Sequence, residues 1–269
     1  GLRKKFPERA LDMGVQEANM VGVAAGLSAV GKKPFVHTFG PFASRRVYDQ
    51  VFLSGGYAKS KMVIIGSDPG VTAAYNGGTH MPFEDVALYR ALPNSVIFDI
   101  TDTNQFIGVV KEVKDKDGVI YIRTPRKGTN KIYDDSESFT LGEAKVLKEG
   151  TDVVIVASGI MPSEALQAAS ALEAKDVSAA VIDPVTINPL DKECILKWAK
   201  KTGAVVTAEN CNVHGGLGDA VASMLAENYP VIMERVGVQD EFGEVGTVDY
   251  LQTRFGLTSQ DIMEKVTRV

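Results

Sequence analysis

Met62-Val-Ile-Ile-Gly-Ser67 is the stretch that decides the fold. A strand with one face in water alternates polar and apolar residues. This run stays apolar until Ser67, so it reads as a strand covered on both faces, the inside of a parallel sheet with helices on either side. The neighbouring residues supply those helices. Downstream, Asp68-Pro-Gly70 opens a long glycine-rich loop to Pro82, and 83–91 reads as a helix. Residues 96–100 follow as a strand, Asp102 or Thr103 caps a helix through Lys111, and 118–123 forms another strand ending in Thr124-Pro125-Arg126. Upstream, 13–27 reads as a helix apolar on almost every side, closed by Gly31. Lys32-Lys33-Pro34 turns the chain into a strand at 34–39, Gly40-Pro41 breaks it, and 42–58 is expected to be helical. Residues 6–12 are expected to form a loop and a short strand.

The pattern then restarts. Residues 131–138 are polar and turn-rich, a linker composition. Strands are expected at 152–158, 177–183, 204–209 and 231–236. Helices are expected at 162–174, at 191–202 capped by Asp191, after Gly218 as far as Asn228, and after Thr258 or Ser259. Strands alternating with helices predict two α/β domains with parallel sheets, at 1–128 and 140–269, joined by a linker at 129–139.

Composition bounds the function. The chain has 269 residues, 45% hydrophobic and 23% charged, with a formal net charge of −5, which describes a soluble globular protein. Mild acidity without a long basic run argues against a nucleic-acid partner. No apolar run is long enough for a bilayer and no signal-peptide pattern opens the sequence, so a cytoplasmic location is expected. Cys194 and Cys211 do not make a metal-type pair and read as isolated reduced thiols. His37, His80 and His214 lack zinc spacing, so no metal is expected to be held by this chain.

Candidate chemistry gathers at the carboxyl ends of the first-half strands, where open α/β sheets bind ligands. Phe39 and Phe42, the loop from Asp68 to His80, and the stretch from Arg123 to Arg126 all lie just beyond such ends. Glu17 is the one acid in the apolar helix, and a buried carboxylate is rare unless paired or employed. Each residue also has a plain reading: Phe39 and Phe42 as core, His80 as a structural histidine, Arg126 as a solvated side chain. In the second half, Gly215-Gly-Leu-Gly218 follows a strand and opens a helix, which invites a dinucleotide reading but lacks the full spacing.

Four stretches together resemble the carboxyl-terminal half of a transketolase, which many bacteria encode as a separate subunit. They are Gly14-Val-Gln-Glu-Ala-Asn-Met-Val-Gly-Val-Ala-Ala-Gly-Leu27, Thr38-Phe-Gly-Pro-Phe-Ala-Ser-Arg45, Gly77-Gly-Thr-His-Met-Pro82 and Ile122-Arg-Thr-Pro-Arg126. The resemblance implies a pyrimidine-binding domain followed by a transketolase carboxyl-terminal domain, and transfer of a two-carbon ketol unit between phosphorylated sugars of the pentose phosphate type. It implies that Glu17 hydrogen-bonds the pyrimidine N1′ of thiamine diphosphate, favouring the tautomer that deprotonates the thiazolium carbon; an apolar setting makes a carboxyl willing to share that proton. Val15 would hold the cofactor bent, Phe39 and Phe42 would pack on the pyrimidine, and Arg45 would lie near the cofactor or substrate entrance. His80 would meet the sugar hydroxyls as a catalytic group, and Arg126 would hold the sugar phosphate. Asn76 stands where the family commonly has an aspartate that meets a substrate hydroxyl, which bears on the choice of sugar.

The Gly-Asp-Gly motif with which such enzymes hold the diphosphate and magnesium is missing from this sequence. The resemblance therefore implies that both are held by an amino-terminal partner subunit, with dimeric or α2β2 assembly of the hetero-oligomer. It also implies that a further strand and helix normally precede residue 1. The alternatives are the β subunit of a 2-oxo-acid dehydrogenase, a relative of deoxyxylulose-phosphate synthase, or a catalytically silent subunit that binds a partner.

Overall fold

The computed structural model describes residues 1–269. After a single helical turn at Leu2–Lys5, the first half runs α1 (Glu17–Ala29), β1 (Phe35–Phe39), β2 (Met62–Ser67), α2 (Asp85–Arg90), β3 (Val96–Asp99), α3 (Thr103–Val113) and β4 (Val119–Thr124). The second half runs β5 (Lys145–Lys148), β6 (Val153–Ala157), α4 (Met161–Glu173), β7 (Ala179–Asp183), β8 (Thr186–Asn188), α5 (Lys192–Thr202), β9 (Ala204–Asn212), α6 (Leu217–Asn228), β10 (Ile232–Val238), α7 (Val248–Arg254) and α8 (Ser259–Val266). Two five-stranded sheets result, ordered β1-β2-β4-β3-β8 and β10-β9-β6-β7-β5. The fold is two α/β units, each with a parallel sheet and one antiparallel edge strand.

The edge strands were not foreseen. β8 comes from the second half of the chain and pairs antiparallel with β3 of the first. One hydrophobic cluster likewise holds Tyr89 and Tyr121 of the first half with Val154 and Trp198 of the second. The halves thus share both a sheet and a core.

β2 spans the residues expected of it, and five of its six are buried. Its register sets up the functional edge: Phe39 lies opposite Ser67, and Ser67 opposite Thr124. The three adjacent strands β1, β2 and β4 therefore end level, and whatever follows each of them emerges on one rim.

Three local expectations need correction. Residues 6–12 contain no strand. The first helix begins at Glu17 rather than Met13, and only Glu17, Val21 and Ala24 on it are buried, so its apolar character is not matched by burial within this chain. The expected helix at 42–58 is broken at Ser44, where φ −120° and ψ −95° leave the helical region. It continues as a 3-10 turn at Arg45–Val47, a short α turn at Tyr48–Gln50 and a π-helical segment at Val51–Tyr57. The segment expected as a linker is pinned to α3. Asp102 caps α3 through the Gln105 N–H, and its other oxygen accepts from the N–H groups of Ile132 and Tyr133 at 2.8 and 2.9 Å. The Tyr133 and Phe139 rings are buried edge to face, 4.8 Å between centroids, over Gly108, where a Cβ would strike the Phe139 ring.

Candidate functional site

Glu17 opens α1 and is 8% exposed. Its neighbour is Arg46, whose Nη1 lies 3.2 Å from Glu17 Oε2. The same guanidinium stacks on Phe42, with Cζ 3.8 Å from the ring centroid. Glu17 thus faces a cation that itself lies over an aromatic ring, where an apolar setting was expected.

Phe42 sits on the helical turn Gly40–Ala43, started by Pro41 at a position where the missing N–H costs nothing. Gly40 is required because a Cβ there would strike Pro82 and crowd the Ser67 carbonyl. The turn is anchored by Ser44 Oγ donating to the Gly40 carbonyl and by the buried Tyr89 hydroxyl donating to the Ala43 carbonyl.

Across from it, Phe39, Phe42 and His80 form a triangle of edge-on rings. Centroids lie 6.1 Å apart for Phe39–Phe42, 5.4 Å for Phe39–His80 and 5.0 Å for Phe42–His80. His80 Nδ1 is 2.9 Å from the Thr79 hydroxyl. Arg45 holds this loop from outside, donating to Glu84 at 2.6 Å and to the Thr79 carbonyl at 2.9 Å. An open cleft of about 550 Å³ results, lined by Pro41, Phe42, Arg45, Arg46, Thr79 and His80.

The loop bearing His80 is braced by the second half of the chain. A Cβ at Gly78 would collide with the Gly243 carbonyl, and one at Gly77, where φ is +73°, with Val245. Gly78 permits a backbone-to-backbone approach, and Gly77 the positive φ of the turn. A second cleft of about 330 Å³ lies at the ends of β1, β2 and β4, with Ser67, Asp102, Thr103, Arg126 and Lys127 in its wall. Arg126 stacks on Phe39, Cζ 4.6 Å from the centroid, and donates through Nε to Asp68 Oδ2 at 2.5 Å. His37 also lines this cleft, and burial, reinforced by the nearby Arg126, lowers its pKa below the ordinary value.

The structure therefore brings Glu17, Phe39, Phe42, Arg45, His80 and Arg126 to one rim. It leaves Val15 85% exposed and outside both clefts, and Asn76 exposed with no side-chain hydrogen bond. Two participants escaped sequence reasoning. Arg46 carries no motif signal. Asp68 had one, standing directly after a buried strand and before Pro-Gly, and it is 2% exposed with φ +56°.

The remaining sequence candidates are structural. Glu209 is fully buried and accepts from the N–H groups of Leu217 and Gly218 at 2.6 and 2.8 Å, filling the α6 N-terminus with a protein carboxylate. A Cβ at Gly216 would land on that carboxylate, so the Gly215–Gly218 turn is shaped to receive Glu209 and has no place for a dinucleotide phosphate. Cys211 donates to Glu209, and burial raises its pKa, while Cys194 is pushed up to about 11 by burial. Neither thiol is poised as a nucleophile. No group of three or more His, Cys, Asp or Glu side chains is arranged to hold a metal. No helix is long and apolar enough to cross a membrane.

An α/β chain that gathers an acid, aromatic rings and arginines at the carboxyl ends of its first sheet has its polar groups where open α/β sheets bind ligands. Comparison with known proteins makes this specific. A model of the transketolase pyrimidine binding domain matches residues 1–131, and one of the transketolase C-terminal domain matches residues 142–262. The 6-deoxy-6-sulfo-D-fructose transketolase subunit SqwH of Clostridium sp. (strain MSTE9) is 50% identical over 266 residues, 99% of this chain and 83% of that protein. A putative transketolase C-terminal section from Methanocaldococcus jannaschii is 36% identical over 98% of this chain and 83% of its own length. Among solved structures, a split gene transketolase described as an inactive beta4 tetramer superposes with a TM-score of 0.94 at 43% identity, covering 99% of this chain and 86% of that one. The chain belongs to the transketolase family, whose members generally use thiamine diphosphate.

Proposed function

We propose that this chain is the pyrimidine-side subunit of a split transketolase, moving a two-carbon ketol unit from a ketose to an aldose, both carrying an anionic tail. The observation that carries the reading is Glu17: a buried carboxylate heading an apolar helix, one guanidinium away from the face of Phe42.

These residues fit thiamine diphosphate. A flat heteroaromatic ring needs an aromatic face and a carboxylate in the ring plane, and Phe42 and Glu17 supply both beside an open cleft. When bound, the cofactor supplies the electron sink that lets the bond beside a ketose carbonyl break. This chain's part is to hold and share a proton at a pyrimidine nitrogen through Glu17 and to wall the ring with Phe39 and Phe42. His80, within hydrogen-bond reach of Thr79, orients sugar hydroxyls and moves their protons, while Arg126 takes the anionic end. Arg45 fixes the His80 loop from its outer side, and Asn76 and Val15 belong to the parts of the site that a partner completes.

The diphosphate and magnesium fall to that partner, an amino-terminal transketolase subunit. Support comes from the split-gene relatives and from the surface: Val15, Leu53 and Tyr57 are 85%, 50% and 83% exposed, and most of α1 is uncovered. Dimeric or α2β2 assembly, a cytoplasmic location and the division at 1–128, 129–139 and 140–269 belong to the same proposal. The two unpaired cysteines agree with a reducing compartment.

The test is reconstitution. The chain alone should show no ketol transfer, and adding the partner should restore it. Glu17→Gln in the restored complex should lower kcat at least a hundredfold with an unchanged melting temperature. Transfer by the isolated chain would refute the split-site reading, and full turnover by Glu17→Gln would remove Glu17 from the chemistry.

A further inference from the structure

We infer that Asp68 sets the charge preference of the anion subsite at Arg126, favouring a substrate tail with one negative charge, such as a sulfonate, over a phosphate dianion. The inference rests on the ketol-transfer reading of this site.

Arg126 is offered to the cleft in an unusual state. Asp68 Oδ1 accepts the Arg126 backbone N–H at 3.1 Å, and Asp68 Oδ2 accepts Nε at 2.5 Å. The Asp68 side chain is only 3% exposed whereas that of Arg126 is 50% exposed. One edge of the guanidinium is therefore locked to a buried carboxylate. Neither Nη makes a hydrogen bond within the chain, so the outer end still presents donors to oxygen atoms. The geometry of an anion receptor is kept while its charge is already balanced.

The surroundings do not restore that charge. His37, on the same cleft wall, is held toward its neutral form. Asp102 adds a second carboxylate, saturated by three backbone N–H groups. Lys127 is the one further cation in the wall. Two carboxylates thus balance two cations around the place where a substrate tail would sit. Asp68 has little freedom to withdraw: Pro69 follows it, and Gly70, at φ +53°, is pressed against Asn210.

Sulfonates and phosphate monoesters both present three oxygens, so the free Nη groups serve either. They differ in charge. A sulfonate carries one negative charge across the physiological range, whereas a phosphate monoester carries about 1.5 to 2 at pH 7. A buried carboxylate beside the receptor penalises the second charge more than the first.

The test uses the chain reconstituted with its partner subunit and three ketol donors: 6-deoxy-6-sulfo-D-fructose, fructose 6-phosphate and unsubstituted fructose. In the unmodified complex the KM for the sulfonate should be lower than that for the phosphate. Asp68→Asn keeps the size and an oxygen acceptor, and asparagine tolerates positive φ, so it changes charge with little else. It should shift the ratio of the two KM values about tenfold in favour of the phosphate, the ratio being read within one variant so that any common loss of activity cancels. Asp68→Glu, which keeps the charge, should hold the original preference. An unchanged ratio in Asp68→Asn, or the same shift in Asp68→Glu, overturns the inference and leaves ketol transfer standing. No transfer from any of the three donors overturns the ketol reading and this inference with it.

Discussion

Replacing Arg123 by methionine should destabilise the fold by about 3–5 kcal/mol, the usual cost of removing one partner from a buried ion pair. Arg123 lies on β4 with a wholly buried side chain. Its Nε donates to Asp85 Oδ2 at 2.7 Å, its Nη1 to Asp99 Oδ2 at 2.9 Å, and its Nη2 to the Asn210 carbonyl at 3.1 Å. One guanidinium therefore compensates two buried carboxylates and ties β4 of the first half to β9 of the second. At an effective dielectric near 20, each pair is worth about 4 kcal/mol before desolvation, which removes several kcal/mol per ion. The net value of the triad is small. The cost of orphaning two acids is not, because Asp99 already has its pKa raised by burial against the pull of Arg123.

Urea unfolding is the direct assay. With a slope of about 3 kcal/mol per M for a chain of this size, the midpoint should fall by about 1–1.7 M. A companion variant that also carries Asp85→Asn and Asp99→Asn should recover most of the loss, since it no longer buries unpaired charge. A midpoint shift below about 0.3 M in the single variant would refute the reasoning. So would a triple variant no more stable than the single one.

Two further outcomes are expected. Asp183 is fully buried and accepts from Thr101, Gln105, Tyr133 and the Val185 N–H without forming an ion pair, and burial lifts its pKa from 3.8 to about 6. Because the folded state then binds the proton more tightly than the unfolded one, this residue's contribution is present in full below pH 3.8 and is lost as pH rises through 6. The loss is about 3 kcal/mol across that window; chemical unfolding of the natural chain and of Asp183→Asn at pH 4 and pH 7 should diverge by that order, and a constant difference between them would sink the idea. Gly78→Ala, whose Cβ would collide with the Gly243 carbonyl, should displace the His80 loop and raise the KM for ketose in the reconstituted complex at least fivefold. An unchanged KM would mean that the contact between the halves does not position His80.

Much of the fold was legible because its central strands are unbroken apolar runs. β2, β6 and β7 are buried at nearly every position, and the sequence shows this without help from periodicity. Helix caps were equally plain, with Asp102, Asp191 and Thr258 each accepting the expected backbone N–H. The misses share one cause, a tertiary partner invisible locally. Three residues between Pro184 and Pro189 do not announce a strand, yet β8 exists because β3 offers it an edge. Residues 131–138 read as a polar, turn-rich linker, and nothing local shows that Tyr133 donates to Asp183, 50 residues on. The site divides the same way. Glu17, Phe39, Phe42, His80 and Arg126 could be picked out by type and place, but the ion pairs that hold Glu17 and Arg126 could not. Arg46 reaches Glu17 across 29 residues and Asp68 reaches Arg126 across 58, distances that only the level ends of β1, β2 and β4 close.

The first helix is the most informative error. Its apolar residues predicted burial on every side, and the structure covers one narrow face. The chemistry of that expectation is sound, since a helix carrying Met20, Val23 and Leu27 with a single acid has no reason to stand in water. What was wrong is the assumption that this chain alone does the covering. Arg46 gives the same reasoning a local form. Its guanidinium carbon lies 3.8 Å from the Phe42 ring centroid while Nη1 bonds Glu17, the two contacts proposed for the pyrimidine ring. On the proposed reading a bound ring would take the place of Arg46, whose side chain is 45% exposed. Partner binding and cofactor binding would then act on neighbouring faces of one helix. That is the arrangement a site divided between two chains requires.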